Sequence, residues 1–353
     1  MIFHKSLLNW YLENKRDLPW RKNNTPYTIW LSEIMLQQTR IAQGLPYYQK
    51  FITHFPSVFD LAEAEEEQVL KLWQGLGYYS RARNLHFTAK YVAEELNGTF
   101  PDNYKDLKKL KGVGDYTAAA IASICYQEPV AVVDGNVYRV LARYFGVETP
   151  INSTEGVKEF KALAKKMLYT KDPATYNQAL MEFGALHCKP KNPLCESCPF
   201  QKNCVAFQQG ITTSLPVKLK KTKVRTRHFN YLIFLKNKET LLQKRTGKGI
   251  WKNLYEFPLV ETPTEMHKED FNEQPVINKI LKNEPKKIQL YNNKPIKHVL
   301  SHQKIFAKFW VVNIDEFPEN FSKPVIKTSF STIETYAVPV LLEKFIDAFG
   351  FSK

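Results

Sequence analysis

The stretch LKKLKGVGDYTAAAIASICYQEPVAVVDGNVYRVLA, residues 107–142, constrains the fold more than any other part of the chain. An amphipathic run ends near Leu110, and a helical run begins near Tyr116, with Gly112 and Gly114 between them. Glycine tolerates a positive φ angle, so this spacing predicts two helices joined by a very tight turn. Such a turn can bring backbone N–H groups close to a phosphate, and the dipole of the second helix favours an anion there.

Asp134 follows twenty residues after the second glycine. It precedes Gly135 and an apolar run with helical spacing, in which Val137, Val140 and Leu141 recur. This order predicts that Asp134 caps a helix, where its carboxylate accepts backbone N–H bonds and tends to stay ionised. Taken alone, the stretch is equally consistent with an ordinary helical hairpin and with a DNA-binding hairpin.

Composition indicates two domains and a polyanionic partner. The chain has 353 residues and a formal net charge of +15 at pH 7, which suits nucleic acid. Four of the five cysteines lie between Cys188 and Cys204, which favours metal ligation in a reducing compartment over disulfides. No run approaches 18 apolar residues and the N-terminus has no signal-peptide core, so we expect a cytoplasmic protein without a membrane span.

A carboxylate in an unusual position lies near the N-terminus. Thr25 and Pro26 form a helix-start signal ahead of the run YTIWLSEIMLQQTRI. Within it, Glu33 shares a face with Ile29 and Leu36, where an unpaired carboxylate is costly. By itself this pattern favours a structural, salt-bridged glutamate.

The cysteines have the spacing C-x6-C-x2-C-x5-C. Four thiolates can hold either a [4Fe–4S] cluster or one zinc ion. Zinc ribbons usually have two short cysteine pairs and this chain has one, so the spacing favours iron–sulfur. The four candidate ligands are Cys188, Cys195, Cys198 and Cys204.

Composition changes after a polar, basic linker at residues 210–228. Before it, apolar periodicity predicts an all-α domain at residues 1–209, with helices near 3–14, 57–73, 79–96, 154–169 and 173–186. After it, residues 229–353 are predicted to form an α+β domain, with strands in FNYLIFL, TLLQKR, LYEFPLV and KIFAKFWVVNI and helices near 268–282 and 337–349.

The hairpin followed by Asp134 resembles the helix-hairpin-helix DNA glycosylase superfamily, which includes endonuclease III. WLSEIMLQQT, VVDGNVYRV and the cysteine spacing resemble its adenine-specific branch, the MutY-type adenine DNA glycosylases. The resemblance implies that Glu33 is the catalytic acid and that Asp134 stays anionic and stabilises the sugar cation. Tyr116 and Asn136 match positions that hold the site together. Tyr116 also replaces the lysine of lyase-active members, which implies a glycosylase without strong lyase activity.

The same resemblance implies several DNA contacts. Gln37 and Gln38 fall where polar side chains enter the opened duplex, and Arg21 lies in the segment RDLPWR near the extruded base. Tyr78, in GLGYYSRARNL, matches a residue that wedges at the base step. In the hairpin, Gly112 and Gly114 approach a phosphate. Two positions there depart from the family pattern: Lys111 replaces a proline, and Asp115 stands where a basic or neutral residue is usual.

The C-terminal part resembles a Nudix (MutT-like) domain, through LLQKRTGKGIWKNLYEFPLVE. The acidic cluster that would bind Mg²⁺ for hydrolysis does not follow Pro258, so a reader of the opposing base is implied. Ser301 and His302 match the recognition loop of the family, and Leu300 replaces its phenylalanine.

Together these features predict an enzyme that removes adenine opposite 8-oxoguanine or guanine in duplex DNA. We expect it to act as a monomer with a structural [4Fe–4S] cluster, and its residues 1–210 to hold the catalytic machinery. Two alternatives remain: a bifunctional endonuclease III-like enzyme, which would need lysine at position 116, and a non-catalytic helix-hairpin-helix DNA-binding protein.

Overall fold

A computed structural model describes residues 2–219, 224–282 and 287–351. The chain forms two compact units. Unit 1 comprises Met1–Glu63 and Asn84–Lys221, and unit 2 comprises Ala64–Arg83 and Thr222–Lys353. In this division residues 64–83 pack with the C-terminal part, whereas the sequence-based boundaries at 1–209 and 229–353 place them in the first domain.

Unit 1 has helices and no strand among its described residues, as expected. Its α-helices are α1 (Ile2–Asn14), α2 (Pro19–Lys22), α3 (Pro26–Leu36), α4 (Ile41–His54), α5 (Val58–Glu63), α7 (Ser80–Glu95, whose first turn belongs to unit 2), α8 (Tyr104–Leu107), α9 (Asp115–Tyr126), α10 (Gly135–Phe145), α11 (Thr154–Met167), α12 (Pro173–Leu186) and α13 (Val205–Gln208).

Local capping chemistry explains where these helices begin. The Thr25 hydroxyl accepts the Thr28 N–H at the start of α3, and the Asp172 carboxylate accepts the Thr175 N–H at the start of α12. In both helices a proline occupies the first helical position, whose N–H needs no partner. The helix start predicted from Thr25 is therefore confirmed, and the helix predicted near 173–186 is α12.

One core of unit 1 joins the N-terminal helix to the helices after the hairpin. Leu7 of α1, Leu141 of α10 and Phe183 of α12 are fully or almost fully buried in it. The partly buried cysteines 188, 198 and 204 pack against the same core. This packing brings residues 134–137, α12 and the cysteines into one lobe.

Unit 2 contains α6 (Glu66–Leu72), α14 (Pro275–Leu281), α15 (Val340–Phe349) and eight strands in its described residues. The strands are β1 (Arg225–Leu235), β2 (Glu239–Lys244), β3 (Tyr255–Glu256), β4 (Leu259–Thr262), β5 (Lys287–Leu290), β6 (Ile296–Val299), β7 (Gln303–Asn313) and β8 (Val325–Ser329).

The strands form two sheets. The first has the order β4-β1-β7-β5, with β6 also paired to β7, and its central β1–β7 pair is parallel. The second has the order β3-β2-β8. Buried Phe234, Trp310 and Phe271 belong to the core that covers the first sheet. The predicted α+β class of this part is confirmed.

Several boundaries differ from those predicted. The helix containing Glu33 ends at Leu36, because Gln37 and Gln38 leave the helical region. The single helix predicted near 57–73 is two helices, α5 and α6, and β1 begins at Arg225 inside the predicted linker. In the part of the chain that the structure describes, no helix is both long and apolar enough to cross a membrane.

Candidate active site and nucleic-acid interface

Glu33 lies in the third turn of α3 with only 8 % of its surface exposed. Burial raises the pKa of its carboxyl from 4.5 to about 7, and the nearby charge of Asp134 acts in the same direction. A hydrogen bond from Tyr116 and the charge of Arg21 act the other way. At neutral pH this carboxyl therefore exists in both protonated and ionised forms, as a general acid requires.

Tyr116 is the second residue of α9, and its hydroxyl reaches the Glu33 carboxyl. The same hydroxyl lies 3.6 Å from the Met181 sulfur of α12. Burial together with the charges of Glu33 and Asp134 raises the pKa of this phenol well above 10. Tyr116 therefore stays protonated and holds the Glu33 carboxyl as a hydrogen-bond donor.

Asp134 caps α10, as predicted. One carboxylate oxygen accepts the N–H groups of Asn136 and Val137 at 2.9 and 2.8 Å, and the other accepts the Asn136 side-chain amide at 2.6 Å. Burial nevertheless raises the pKa of Asp134 above its usual value, which the cap alone did not indicate, and these three bonds oppose the rise. All three donors point at the charge-bearing oxygens and stabilise the carboxylate form.

Asn136 connects this carboxylate to a buried arginine that the sequence analysis missed. Its side-chain oxygen accepts an N–H from Arg139 at 2.9 Å. Arg139 also donates to the carbonyl oxygens of Gly184 at 2.6 Å and Cys188 at 2.7 Å. The active-site loop is thereby tied to the end of α12 and to the first cysteine. The place of Arg139 one turn after Asn136 was the available signal, but its other partners, Gly184 and Cys188, are distant in sequence.

Arg21 lies within the site and bonds a second missed residue, Glu182. Arg21 and Arg16 each form a two-bond pair with the Glu182 carboxylate, at 2.9–3.0 Å and 2.6–2.8 Å. Burial opposes ionisation of Glu182, but the two guanidinium groups outweigh it and lower the pKa to about 2. The charge of Arg21 also acts on Glu33. The predicted base-pocket arginine is thus oriented by Glu182.

The glycine turn has the predicted form. Gly112 adopts φ +84°, and a Cβ there would lie 2.9 Å from the Asn84 Cβ, so glycine is needed. Gly114 has an extended backbone instead, and it caps α9 without a side-chain acceptor. This leaves the positive end of the helix dipole for an external anion. Gln37 packs here, because its amide donates to the Thr117 hydroxyl at 3.3 Å.

Asp115, the acidic departure in the hairpin, is neutralised by neighbouring lysines. It pairs with Lys108 at 2.5 Å and also with Lys161, and the Tyr104 hydroxyl donates to it at 3.0 Å. These bonds lower its pKa well below the usual range. The hairpin therefore presents a compensated charge rather than a bare carboxylate.

Tyr78, Ser301 and His302 all belong to unit 2. Tyr78 is 45 % exposed and its hydroxyl contacts the Ser301 hydroxyl. Ser301 and His302 form the exposed tip of the β6–β7 hairpin, which the Leu300 N–H closes by donating to the Gln303 carbonyl at 2.8 Å. The structure thus brings the predicted wedge and the predicted reading loop together, while Gln38 is exposed just beyond α3.

Cys188, Cys195, Cys198 and Cys204 line one cavity, together with Arg143 and His187. Arg143 is 2 % exposed and donates to the Cys188 sulfur at 3.4 Å and to the Lys189 carbonyl at 2.8 Å. Backbone N–H groups of Ala206 and Phe207 bond the Cys204 thiol. Among the described residues, no group of three or more acidic, histidine or cysteine side chains has the arrangement of a site for a single metal ion.

Comparison with known proteins places these features in a family. Residues 31–167 match the model of the HhH-GPD superfamily base excision DNA repair proteins, and residues 230–348 match a NUDIX domain. An adenine DNA glycosylase of Buchnera aphidicola subsp. Baizongia pistaciae is 35 % identical over 88 % of this chain and 86 % of that protein. The chain belongs to the adenine DNA glycosylase family.

Other relatives agree with this assignment. The adenine DNA glycosylase of Buchnera aphidicola subsp. Schizaphis graminum is 36 % identical over 74 % of this chain and 76 % of that protein. Among solved structures, a thermostable thymine-DNA glycosylase is 31 % identical, with a TM-score of 0.55, and covers 59 % of this chain and 96 % of its own. Family membership favours the enzyme over a binding module, and the predicted helix-hairpin-helix and Nudix-like folds are confirmed.

Proposed function

We propose that this protein removes adenine paired with 8-oxoguanine or guanine in duplex DNA and leaves an abasic site. The observation that carries the proposal is the Glu33 carboxyl, whose pKa is raised to about 7 by burial and which lies near enough to Asp134 to respond to its charge. A reaction through an oxocarbenium-like transition state needs one carboxyl that donates a proton and one that stays negative. Family membership supplies adenine as the base and DNA as the partner.

In this reaction Glu33 protonates N7 of the extruded adenine. Protonation makes adenine a better leaving group, and the base must leave the stack to reach the site. Tyr116 holds the carboxyl in place, and the Arg21 charge limits how far its pKa rises. Adenine extrusion is assisted by Gln37 and Gln38, which enter the opened duplex from the end of α3.

Asp134 stabilises the sugar cation that forms as the bond breaks. Its three hydrogen-bond donors fix the carboxylate before the reaction, so no reorganisation is needed when positive charge develops. Water then completes the hydrolysis. Because Tyr116 cannot form a Schiff base, the enzyme is a glycosylase without a coupled lyase step.

Phosphates are held by the Gly112–Gly114 turn and the basic surface, and the opposing base is read in unit 2. 8-Oxoguanine differs from guanine by a carbonyl and a proton at N7. The Ser301 hydroxyl can donate to that oxygen or accept from that proton, and His302 adds a second polar group. Tyr78 wedges at the same base step. The enzyme acts as a monomer in the cytoplasm, where its substrate is the cellular DNA.

The cysteine cavity fits a [4Fe–4S] cluster. Four thiols share one cavity, Arg143 donates to the Cys188 sulfur and backbone N–H groups donate to the Cys204 sulfur. Hydrogen bonds to the sulfurs are among the features that tune such clusters. The ligands would be Cys188, Cys195, Cys198 and Cys204. Bound there, the cluster would brace the segment after α12, and Arg139 would connect that segment to Asn136. Glycosidic hydrolysis needs no electron transfer, so the role of the cluster would be structural.

The proposal is tested with an A:8-oxoguanine duplex under single-turnover conditions. We expect strand cutting only after hot alkali, since alkali cleaves an abasic site that the protein itself leaves intact. Glu33→Gln keeps the size of the side chain and cannot donate the proton, so excision should fall at least ~100-fold.

Duplex affinity provides the control, because the Glu33→Gln variant should still bind the same duplex within a few-fold of the parent. Cutting without alkali would indicate the bifunctional enzyme instead. Excision by Glu33→Gln within a few-fold of the parent rate would exclude Glu33 as the acid.

A further inference from the structure

The segment that carries Tyr78 has an unusual backbone. Gly75 and Gly77 have φ +96° and +80°, and Tyr78 itself has φ +50°. A bulky side chain rarely adopts this region, and such strain persists only where neighbouring groups enforce it. Tyr78 is nevertheless the exposed residue of the segment, while Leu76 and Tyr79 beside it are buried.

Arg81 makes several of the contacts that hold this backbone conformation. Its side chain is 7 % exposed, although a basic residue after a turn is often a solvated surface group. One guanidinium nitrogen donates to the Gly77 carbonyl at 3.0 Å and to the Leu76 carbonyl at 3.4 Å. The guanidinium carbon lies 5.2 Å from the centre of the Trp73 ring and 5.5 Å from that of Tyr78. Both distances are within the range of cation–π attraction.

Trp73 acts on the same carbonyl. Its indole N–H donates to the Gly77 oxygen at 3.0 Å, and the Arg81 backbone N–H donates to the Tyr78 oxygen at 2.8 Å. The two residues therefore hold the peptide groups on both sides of Tyr78, and Arg81 also lies beside its ring. A freely rotating aromatic side chain would lose conformational entropy on binding. This arrangement restricts the ring before DNA arrives, so less entropy is lost on binding.

We propose that Arg81 is a positioning residue for Tyr78, which it holds in the backbone conformation and ring orientation that meet the base step. This inference rests on the proposed contact between Tyr78 and DNA. Lysine cannot replace Arg81 in this role, because a single ammonium lacks the planar guanidinium group that lies near both the Trp73 and the Tyr78 rings.

A double-mutant cycle tests the inference in the full-length protein. The four proteins are the parent, Tyr78→Ala, Arg81→Lys and the double variant, and the measurement is the Kd for an A:8-oxoguanine duplex at fixed salt. We expect Tyr78→Ala to weaken binding about 5- to 150-fold, the range for loss of one stacked base. Arg81→Lys should weaken it several-fold, and the double variant should bind within about two-fold of Tyr78→Ala alone.

The matched control is Arg83→Lys, two residues further along α7. Arg83 also donates to a carbonyl oxygen, that of Lys252 at 2.9 Å, but no bond of it to the Gly77 peptide is seen in the described part of the chain. Its effect should multiply with that of Tyr78→Ala. If Arg81→Lys lowers the melting temperature too far for binding measurements, Trp73→Phe removes one bond to Gly77 and should show the same non-additivity.

The outcomes separate the two proposals. The inference is overturned if the effects of Arg81→Lys and Tyr78→Ala multiply and those of Trp73→Phe and Tyr78→Ala multiply as well. Arg81 would then be a general structural residue. If Tyr78→Ala binds the duplex as tightly as the parent, the proposed Tyr78 contact with DNA fails, and the inference fails with it. Non-additivity at Arg81 with additivity at Arg83 supports the inference.

Discussion

At the residue scale, the Glu33 proton responds to three neighbours at once. Burial and Asp134 favour the protonated carboxyl, while Tyr116 and Arg21 favour the ionised one, and the balance gives a pKa of about 7. If the protonated form donates to adenine, the single-turnover excision rate should fall as the pH rises through about 7. The rate is measured from about pH 5 to about pH 9, and a rate that does not change across this range would contradict the assignment.

The same carboxyl makes a prediction about stability. Its pKa is raised from 4.5 to about 7 in the folded protein, so its stability contribution is complete below pH 4.5 and is lost as the pH rises through about 7. Glutamine mimics the protonated form. Glu33→Gln should therefore be as stable as the parent near pH ~4 and more stable by about 1–3 kcal/mol above pH ~8. Urea unfolding at both pH values measures this difference.

At the element scale, the cysteine loop at residues 188–204 joins α12 to α13. If it holds a [4Fe–4S] cluster, the purified protein should be brown and contain about four irons per chain. Cys198→Ser should lose that colour and lower the melting temperature, because the loop loses a ligand. The control is Cys125→Ser, which changes a cysteine of α9 outside the loop and should keep the iron. One zinc and no iron per chain in protein purified without oxygen would contradict the assignment.

Elements whose signals are local could be predicted from the sequence. The starts of α3 and α10 each depend on one capping side chain, and both were predicted from it. The end of α3 was not, because Gln37 is a good helix former whose departure follows from contacts with the hairpin. The break between α5 and α6 has no glycine or proline to mark it.

The residues of the candidate site also fall into two groups: those that the sequence could identify and those that it could not. A carboxylate on an apolar face and a cap after a glycine hairpin singled out Glu33 and Asp134 in the sequence. The family resemblance supplied the roles expected of both and of Tyr116. Glu182 and Arg139 were not identified, because their roles depend on partners far away in sequence: Glu182 bonds Arg16 across 166 residues. Buried charge pairs of this kind look like ordinary surface charges until the fold brings them together.

At the scale of the whole molecule, residues 64–83 belong to the C-terminal unit, although the sequence places them in the catalytic domain. Glu67 accepts bonds from Lys244 at 2.6 Å and from the Tyr255 hydroxyl at 2.7 Å. Gln74 accepts the Val338 N–H at 3.0 Å and donates to Glu343 at 2.7 Å. The segment carrying Tyr78 therefore depends on residues beyond the linker for its packing.

This dependence changes what a truncation should do. The sequence predicts that residues 1–210 hold the catalytic machinery, so a chain cut there would be expected to excise adenine unaided and to lose the reading of 8-oxoguanine. A chain ending at Leu219 instead leaves residues 64–83 without the bonds to Lys244, Tyr255 and Val338. We expect it to melt at a lower temperature and to excise adenine more slowly from A:G as well as from A:8-oxoguanine duplexes.

Full-length variants distinguish lost packing from lost reading of the base. Glu67→Ala with Gln74→Ala removes the segment's bonds to Lys244, Tyr255, Val338 and Glu343 and keeps Ser301 and His302, so it should slow excision from both duplexes. His302→Ala keeps those bonds, so it should lower the ratio of A:8-oxoguanine to A:G excision with little change in the A:G rate. A truncated chain with the parent melting temperature and A:G rate would mean that residues 64–83 fold correctly without the C-terminal residues.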